Sequence, residues 1–381
     1  MEDRKSKKLL VLSQCFYPSR NRGGSTVSAI NLVKAISNDF DTSVITTFYE
    51  MGTGKPYNEV QSGKNRIFGS DVYYLKQHNL WTVFQQIKKV KPSIIFVSSI
   101  FSIVHSIPAM LYKKYVDPNV RLIISPRGEL MKSALQLKSS KKKVFIKAIK
   151  LSGLIKNVEF HVTSLEEDRE LRKIFPGSST HCIKDISLID TDRIDRPKKE
   201  CGMIRIFTAG RFHPIKNLEK SIEIAGNVKG NVQFDIYGPK EDTVYFDVCM
   251  KKAKELGGKA TIEYKGNVEH DKIPELIANY HLFLSPTRNE NFGHSIIEAL
   301  QYGCPVIISN RTPWRQLEKF KAGYDIALEH EDEFITAIQR FIDMDDAEYQ
   351  KWCLRAKQYS KEAMDTQKNN EEYRKLFLGQ R

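Results

Sequence analysis

Residues 281–309 read HLFLSPTRNENFGHSIIEALQYGCPVIIS, and the pattern changes twice along the stretch. His281–Thr287 is a short apolar run of strand type, Gly293–Tyr302 repeats apolar residues at helical spacing, and Pro305–Ser309 is a strand again. Strand, helix and strand in direct succession predict a right-handed crossover between parallel neighbours. The alternation extends outward: Ile204–Gly210 (IRIFTAG), Val232–Gly238 (VQFDIYG), Ala260–Gly266 (ATIEYKG) and Gly323–Leu328 (GYDIAL) read as further strands. Asn217–Val228, Val244–Leu256 and Lys272–Ala278 read as the helices between them. The expected class is α/β, a doubly wound parallel sheet with helices on both faces and ligands beyond the carboxyl ends of its strands.

The first half repeats this less regularly. Leu9–Phe16, Thr42–Phe48, Asp71–Leu75, Ser93–Ser99, Val120–Ser125 and Val158–Thr163 read as strands, with helical patterns over Ser25–Ser37, Leu80–Val90 and Lys141–Leu154. Asp190–Gly202 (DTDRIDRPKKECG) is charged and poor in apolar residues, and reads as a linker. Two Rossmann-like domains follow, 1–198 and 199–364. A long helix is expected from Ala347, and a final helix at about 365–381 is expected to pack back on the first domain.

The 381 residues are too many for one ordinary core, and a hydrophobic share of 41% excludes wholesale disorder. No apolar run approaches the ~20 residues that cross a bilayer, so a spanning protein is not expected. The charged start, Met1–Lys8, is not that of a cleavable signal peptide. Cys15, Cys182, Cys201, Cys249, Cys304 and Cys353 show no CxxC spacing, so free thiols in a reducing cytoplasm are expected. Residues 1–200 hold 34 Lys+Arg against 19 Asp+Glu, while residues 201–381 hold 26 against 27. The net charge of +14 therefore belongs to the first half, and it implies an anionic partner there.

Glu290 and Glu298 flank Gly293, where a helix begins directly after a strand. Free N–H groups and the positive dipole end suit a phosphate there, and the two carboxylates can accept hydrogen bonds from sugar hydroxyls. Spacing alone fits an acidic helix start equally well. Arg211 and Lys216 follow another strand, where two cations can hold a pyrophosphate and stabilise it as a leaving group. Gly23 and Gly24 permit positive φ before a helix for which Ser25 is a plausible cap. His105 and His161 are read as satisfied core or rim histidines.

Asn289–Ser309 (NENFGHSIIEALQYGCPVIIS) resembles the Glu-x7-Glu donor signature of retaining glycosyltransferases of family 4. The likeness extends to Ala209–Asn217 (AGRFHPIKN), Tyr237-Gly-Pro239, Tyr264–Val268, Thr312–Arg315 (TPWR), the glycine loop Phe16-Tyr-Pro-Ser…Gly23-Gly24, and Ser125–Glu129 (SPRGE), so it spans roughly residues 11–328. The chain departs from that pattern at Ile183–Asp190, where many relatives carry a Pro-Asn-Gly-like turn, and at Tyr-Gly-Pro-Lys-Glu, which lacks an acid between two glycines.

The resemblance implies the GT-B fold, two facing Rossmann-like domains with a cleft between them. It implies that Arg211 and Lys216 contact the donor diphosphate and Glu298 the ribose. Glu290 and the backbone of Asn291, Phe292, Gly293 and His294 would face the sugar and phosphates. Val268 and Tyr237–Pro239, with Gly238, would line the base pocket; Gly23 and Gly24 would approach the donor, and Arg127 would act on the acceptor side or in the transition state. The nucleotide sugar, with UDP favoured, is a substrate; neither cofactor nor metal is expected. The acceptor would be a saccharide or lipid-linked saccharide of cell-surface or capsular polysaccharide synthesis.

Met131–Val158 holds eight lysines and no acid, interleaved with Val144, Phe145, Ile146, Ile149, Leu151 and Leu154. Such a helix can lie on anionic lipid, which would make a cytoplasmic enzyme peripheral on the inner face of the membrane; solvated lysines over a packed apolar face are the plainer reading. A sugar-nucleotide epimerase or phosphorylase of the same fold is the near alternative, separated by product formation from donor alone. A nucleic-acid-binding module would show salt-steep oligonucleotide binding. It leaves the Glu-x7-Glu and Arg/Lys groups unexplained, so no nucleic-acid partner is expected.

Overall fold

The computed structural model describes residues 7–20, 23–136, 139–187, 198–256, 258, 260–269 and 272–380. Most of the expected linker, Asp190–Gly202, lies outside them. The chain divides into two compact units, Met1–Leu188 with Thr366–Arg381, and Ile189–Asp365.

The first unit is built on β1 (Lys8–Leu12), β2 (Asp41–Thr47), β3 (Gly63–Ile67), β4 (Ser70–Leu75), β5 (Ile94–Ser98), β6 (Arg121–Ser125), β7 (Glu159–Val162) and β8 (Ser179–Cys182). The sheet order is β3-β4-β2-β1-β5-β6-β7-β8, parallel except for the antiparallel hairpin β3–β4. β1 and β5 are apolar almost throughout, as strands covered on both faces must be. One apolar layer gathers the helix Gly24–Ile36, and Tyr373, Leu376 and Phe377 of the last helix, Thr366–Leu378, join it. The opposite layer holds the helices Leu80–Val90 and Ile103–Tyr115 and the inner face of Ser139–Leu151. Asn79 caps the first of these through a capping box with Thr82.

The second unit carries β9 (Met203–Ala209), β10 (Asn231–Tyr237), β11 (Thr261–Gly266), β12 (Leu282–Ser285), β13 (Val306–Ser309) and β14 (Gly323–Ile326). They form a wholly parallel sheet of order β11-β10-β9-β12-β13-β14. Strand order reverses between β9 and β12, and the crevice above their carboxyl ends is where such sheets hold ligands. Apolar clusters on both faces bury β9, β10, β12 and β13.

Two helices extend beyond their sequence patterns or lie outside them: Asp346–Ala363, capped by Asp345, and Glu331–Asp343, whose Phe334, Ile338, Phe341 and Ile342 are buried at helical spacing. Among the described residues, no helix is long and apolar enough to cross a membrane. None of the six cysteines is paired in a disulfide.

Candidate active site

The loops after β9 and β12 are tied to each other. Asn217 adopts the left-handed conformation (φ 56°) that asparagine tolerates, and its Nδ2 donates to the carbonyl of Pro286 at 2.9 Å. The Ile215 carbonyl accepts from the Arg288 amide at 2.8 Å and from Thr287 Oγ1 at 2.9 Å. Lys216, at the end of the short turn Pro214–Lys216, is thereby held against Glu290, 74 residues on, with Nζ 2.5 Å from Oε2. Both side chains keep nearly a fifth of their surface in solvent, 19% and 18%. A third loop, after β13, supports them: the Glu290 amide donates to the Arg311 carbonyl at 3.0 Å, and Trp314 Nε1 donates to the Phe292 carbonyl at 2.6 Å.

Gly293 is the N-cap of the helix His294–Gln301 at φ 78°, and no side chain caps it. A Cβ at this position would stand 3.0 Å from Glu290 Cγ and 2.9 Å from Ile296 Cδ1, so glycine here serves both conformation and space. Phe292 is buried between the rings of Trp314 and His294. Asn291 and His294 are half-buried, and Glu298, one turn into the helix, is buried. A cation, a carboxylate and an uncapped helix start thus converge at the strand-order reversal, a combination suited to a diphosphate attached to a polyol.

Gly238, at φ 139°, lets the loop after β10 cross the loop after β9, since a Cβ there would fall 1.9 Å from the Gly210 carbonyl oxygen. Arg211 does not join Lys216 in this structure. Its guanidinium lies on Glu241 at 2.9–3.0 Å, an exposed contact that the sequence reading did not anticipate. Val268 and Tyr237 line a cavity of about 720 Å³ on the β10–β11 side, together with Asp235, Asn267 and Tyr280.

The first unit departs from expectation at two places. Gly23 is the N-cap of Gly24–Ile36 with extended backbone (φ −81°), so neither the positive φ nor the Ser25 cap is found. The open space around Gly23 needs no special conformation to admit a neighbour.

Arg127 is turned inward rather than presented to an acceptor. In a left-handed turn at φ 56°, its guanidinium is buried against Asp185, which also accepts from Ser28 Oγ at 2.7 Å. Arg127 Nε and Nη2 have no hydrogen-bond partner among the described residues. Burial acts first on this guanidinium, and the charge of Asp185 overturns it, holding the group protonated above its usual range. His161 and His105 are core residues with both ring nitrogens engaged: His161 with Ser125 Oγ, the Ile183 carbonyl and Tyr373, and His105 with Ser102 Oγ and His78. Burial pushes each to about 3.

Residues 191–362 match the family model of glycosyl transferases group 1. The match lies within the second unit. A curated relative, the GtfA subunit of a UDP-N-acetylglucosamine–peptide N-acetylglucosaminyltransferase from Streptococcus gordonii, is 27% identical over 121 residues, 30% of this chain and 22% of that protein. Across the curated relatives it matches, the chain spans between 22% and 33% of their length. Sucrose-phosphate synthase from Thermosynechococcus elongatus superposes with a TM-score of 0.74 at 15% identity, covering 98% of this chain and 100% of that one. HepE of Anabaena, solved with UDP and glucose, gives 0.72 at 14% identity over 98% and 100%. At those identities the likeness is one of fold: the two units are the Rossmann-like domains of GT-B.

Among the residues described, Asn217, Asp235, Tyr280 and Trp314 carry roles that sequence reasoning did not assign. Trp314 lies within the TPWR segment and Asn217 ends the AGRFHPIKN segment. Asp235 and Tyr280 lie in strand-like and helix-end sequence, and their contact spans 45 residues.

Proposed function

We propose that this protein is a retaining glycosyltransferase, moving a sugar from a nucleoside diphosphate sugar to a saccharide or lipid-linked saccharide. The observation that carries this reading is the Lys216–Glu290 pair at the start of the His294–Gln301 helix. In the proposed reaction the diphosphate replaces Glu290 as the partner of Lys216, and the helix-start amides accept the charge that develops on the departing oxygen. Glu290, released, orients the hydroxyls of the transferred sugar; Glu298 receives the ribose. The bond from the anomeric carbon to phosphate breaks, the acceptor oxygen bonds to that carbon on the same face, and the acceptor proton passes to the leaving phosphate. No covalent nucleophile and no divalent metal take part. Arg211 reaches the diphosphate by leaving Glu241, an exposed contact worth about 1 kcal/mol or less. UDP is the proposed carrier, as supported by the Streptococcus relative, a UDP-N-acetylglucosamine-dependent transferase subunit, and by the Anabaena protein solved with UDP.

The first unit is proposed to receive the acceptor and to rest on an anionic membrane face, the setting of cell-surface or capsular polysaccharide synthesis. In its lysine-rich helix Phe145, Ile146 and Ile149 pack inward, while Val144 and Leu151 are 68% and 78% exposed among Lys141, Lys143, Lys147 and Lys150. Outward apolar residues among cations suit a lipid surface better than bulk water.

The test incubates purified protein with UDP-sugars and extracted lipid-linked acceptors, with and without EDTA. Transfer that persists in EDTA and is nearly abolished by Glu290→Ala and by Lys216→Ala is expected. Substantial activity in both variants sinks the assignment.

A further inference from the structure

The cavity beside β10 contains a hydrogen-bond chain of fixed direction. The Tyr280 hydroxyl donates to Asp235 Oδ2 at 2.6 Å, and the Tyr280 and Tyr237 oxygens lie 2.6 Å apart. Asp235 is buried, and the same Oδ2 also accepts from Gln233 Nε2 at 2.9 Å. A carboxylate can only accept, so the single hydroxyl hydrogen of Tyr280 is committed to Asp235. The hydrogen between the two tyrosines then has to come from Tyr237. Burial, followed by the adjoining carboxylate, holds the Tyr280 phenol protonated far above its ordinary range, which keeps that order in place. Tyr237 is left with an oxygen lone pair and no hydrogen to offer.

The neighbours sharpen this. Asp235 Oδ1 has no hydrogen-bond partner among the described residues, and Lys265, which also lines the cavity, is engaged with Glu263. A ligand edge that reaches Tyr237 therefore meets an acceptor. An edge that offers a second acceptor sets lone pair against lone pair, whereas one that offers N–H pairs with the remaining lone pair of Tyr237.

We propose that Tyr237 reads a ring or amino N–H of the donor's nucleobase, and that Asp235, acting through Tyr280, positions the Tyr237 hydroxyl to do so. This rests on the nucleotide-sugar reading above. It makes Tyr237 a specificity residue, and Tyr280 and Asp235 the positioning residues that set its direction.

The experiment measures, by calorimetry on the full chain, binding of UDP, dTDP, GDP, ADP and CDP, each beside the form methylated at its ring or amino N–H. For the base that binds best, the wild type should prefer the parent over its methylated form by about tenfold or more, one hydrogen bond's worth. Tyr237→Phe should weaken the parent and shrink that preference to within about twofold. Asp235→Asn, whose amide can donate to Tyr280 and let the chain reverse, should also shrink it while thermal unfolding shows the fold retained. A wild type that binds the diphosphate without discriminating overturns the proposal, as does a Tyr237→Phe variant that keeps full discrimination; the donor reading survives both results. Failure of all five diphosphates to bind overturns the donor reading itself, and this proposal with it.

Discussion

Two ion pairs, one in each unit, differ in what water can reach. Lys216–Glu290 joins two loops of the second unit with 19% and 18% of the side chains exposed; Arg127–Asp185 sits in the first unit with 8% and 3%. The first is a contact that a ligand can enter and divide at modest cost, because exposed or part-exposed pairs contribute little. The second has no such freedom. Its carboxylate is fixed by Ser28 from the first helix, and the Tyr373 hydroxyl of the last helix stands 3.4 Å from the same group. Separating buried charges costs far more than the pair gains by forming. The same chemistry, cation beside carboxylate, is thus proposed as a binding device in one unit and is a structural tie in the other.

Removing one partner from each pair breaks the comparison most sharply. Asp185→Ala leaves Arg127 buried without its counterion and should cost about 3–5 kcal/mol of stability, read from the urea midpoint. Lys216→Ala should cost under about 1 kcal/mol in the same assay, yet lower transfer by about 10²–10³-fold, the loss usual for a group that holds developing charge. Equal destabilisation by the two variants would erase the distinction drawn here.

Acid should separate the units next. Burial holds His78 near 4, and His105 and His161 near 3, all in the first unit. Each stays neutral when folded and takes up a proton on unfolding below about 6.5. The stability they lend is therefore complete above that pH and is lost as pH falls toward the folded values, by about 1.4 kcal/mol per pH unit for each histidine. Hydrogen exchange between pH 7 and 5 should show the first unit losing protection ahead of the second; simultaneous loss, or the reverse order, contradicts this. The smallest expected effect is that of Tyr373→Phe, which removes the 2.9 Å contact with His161 Nε2 and should cost about 1 kcal/mol in urea unfolding.

The contrast also marks what was legible in sequence. In the second unit every strand follows an apolar run, and Lys216 and Glu290 lie directly after two of them, so the fold and the two loops could be read together. The first unit hid more. The edge strands β3 (GKNRI) and β8 (STHC) carry no apolar run, and the helix Ile103–Tyr115 contains Pro108, which breaks the helical pattern. The helix Leu165–Ile174 (LEEDRELRKI) is mostly charged and rests on its Ser164 cap and few buried residues. Arg127 turned inward because of Asp185, 58 positions away, and Arg211 turned aside to Glu241. Local spacing carries no sign of either partner, nor of the contact between Lys216 and Glu290, 74 residues apart.

The central claim is that the Lys216 half of the part-exposed pair receives the donor diphosphate. Calorimetric titration of the best-binding nucleoside diphosphate into wild type, Lys216→Ala and Glu290→Gln tests it without any knowledge of the acceptor. Affinity should fall at least about tenfold in Lys216→Ala, the loss of one charge-assisted contact, and should hold or rise in Glu290→Gln, where the competing carboxylate is gone. Binding to Lys216→Ala as tight as to the wild type would contradict the account.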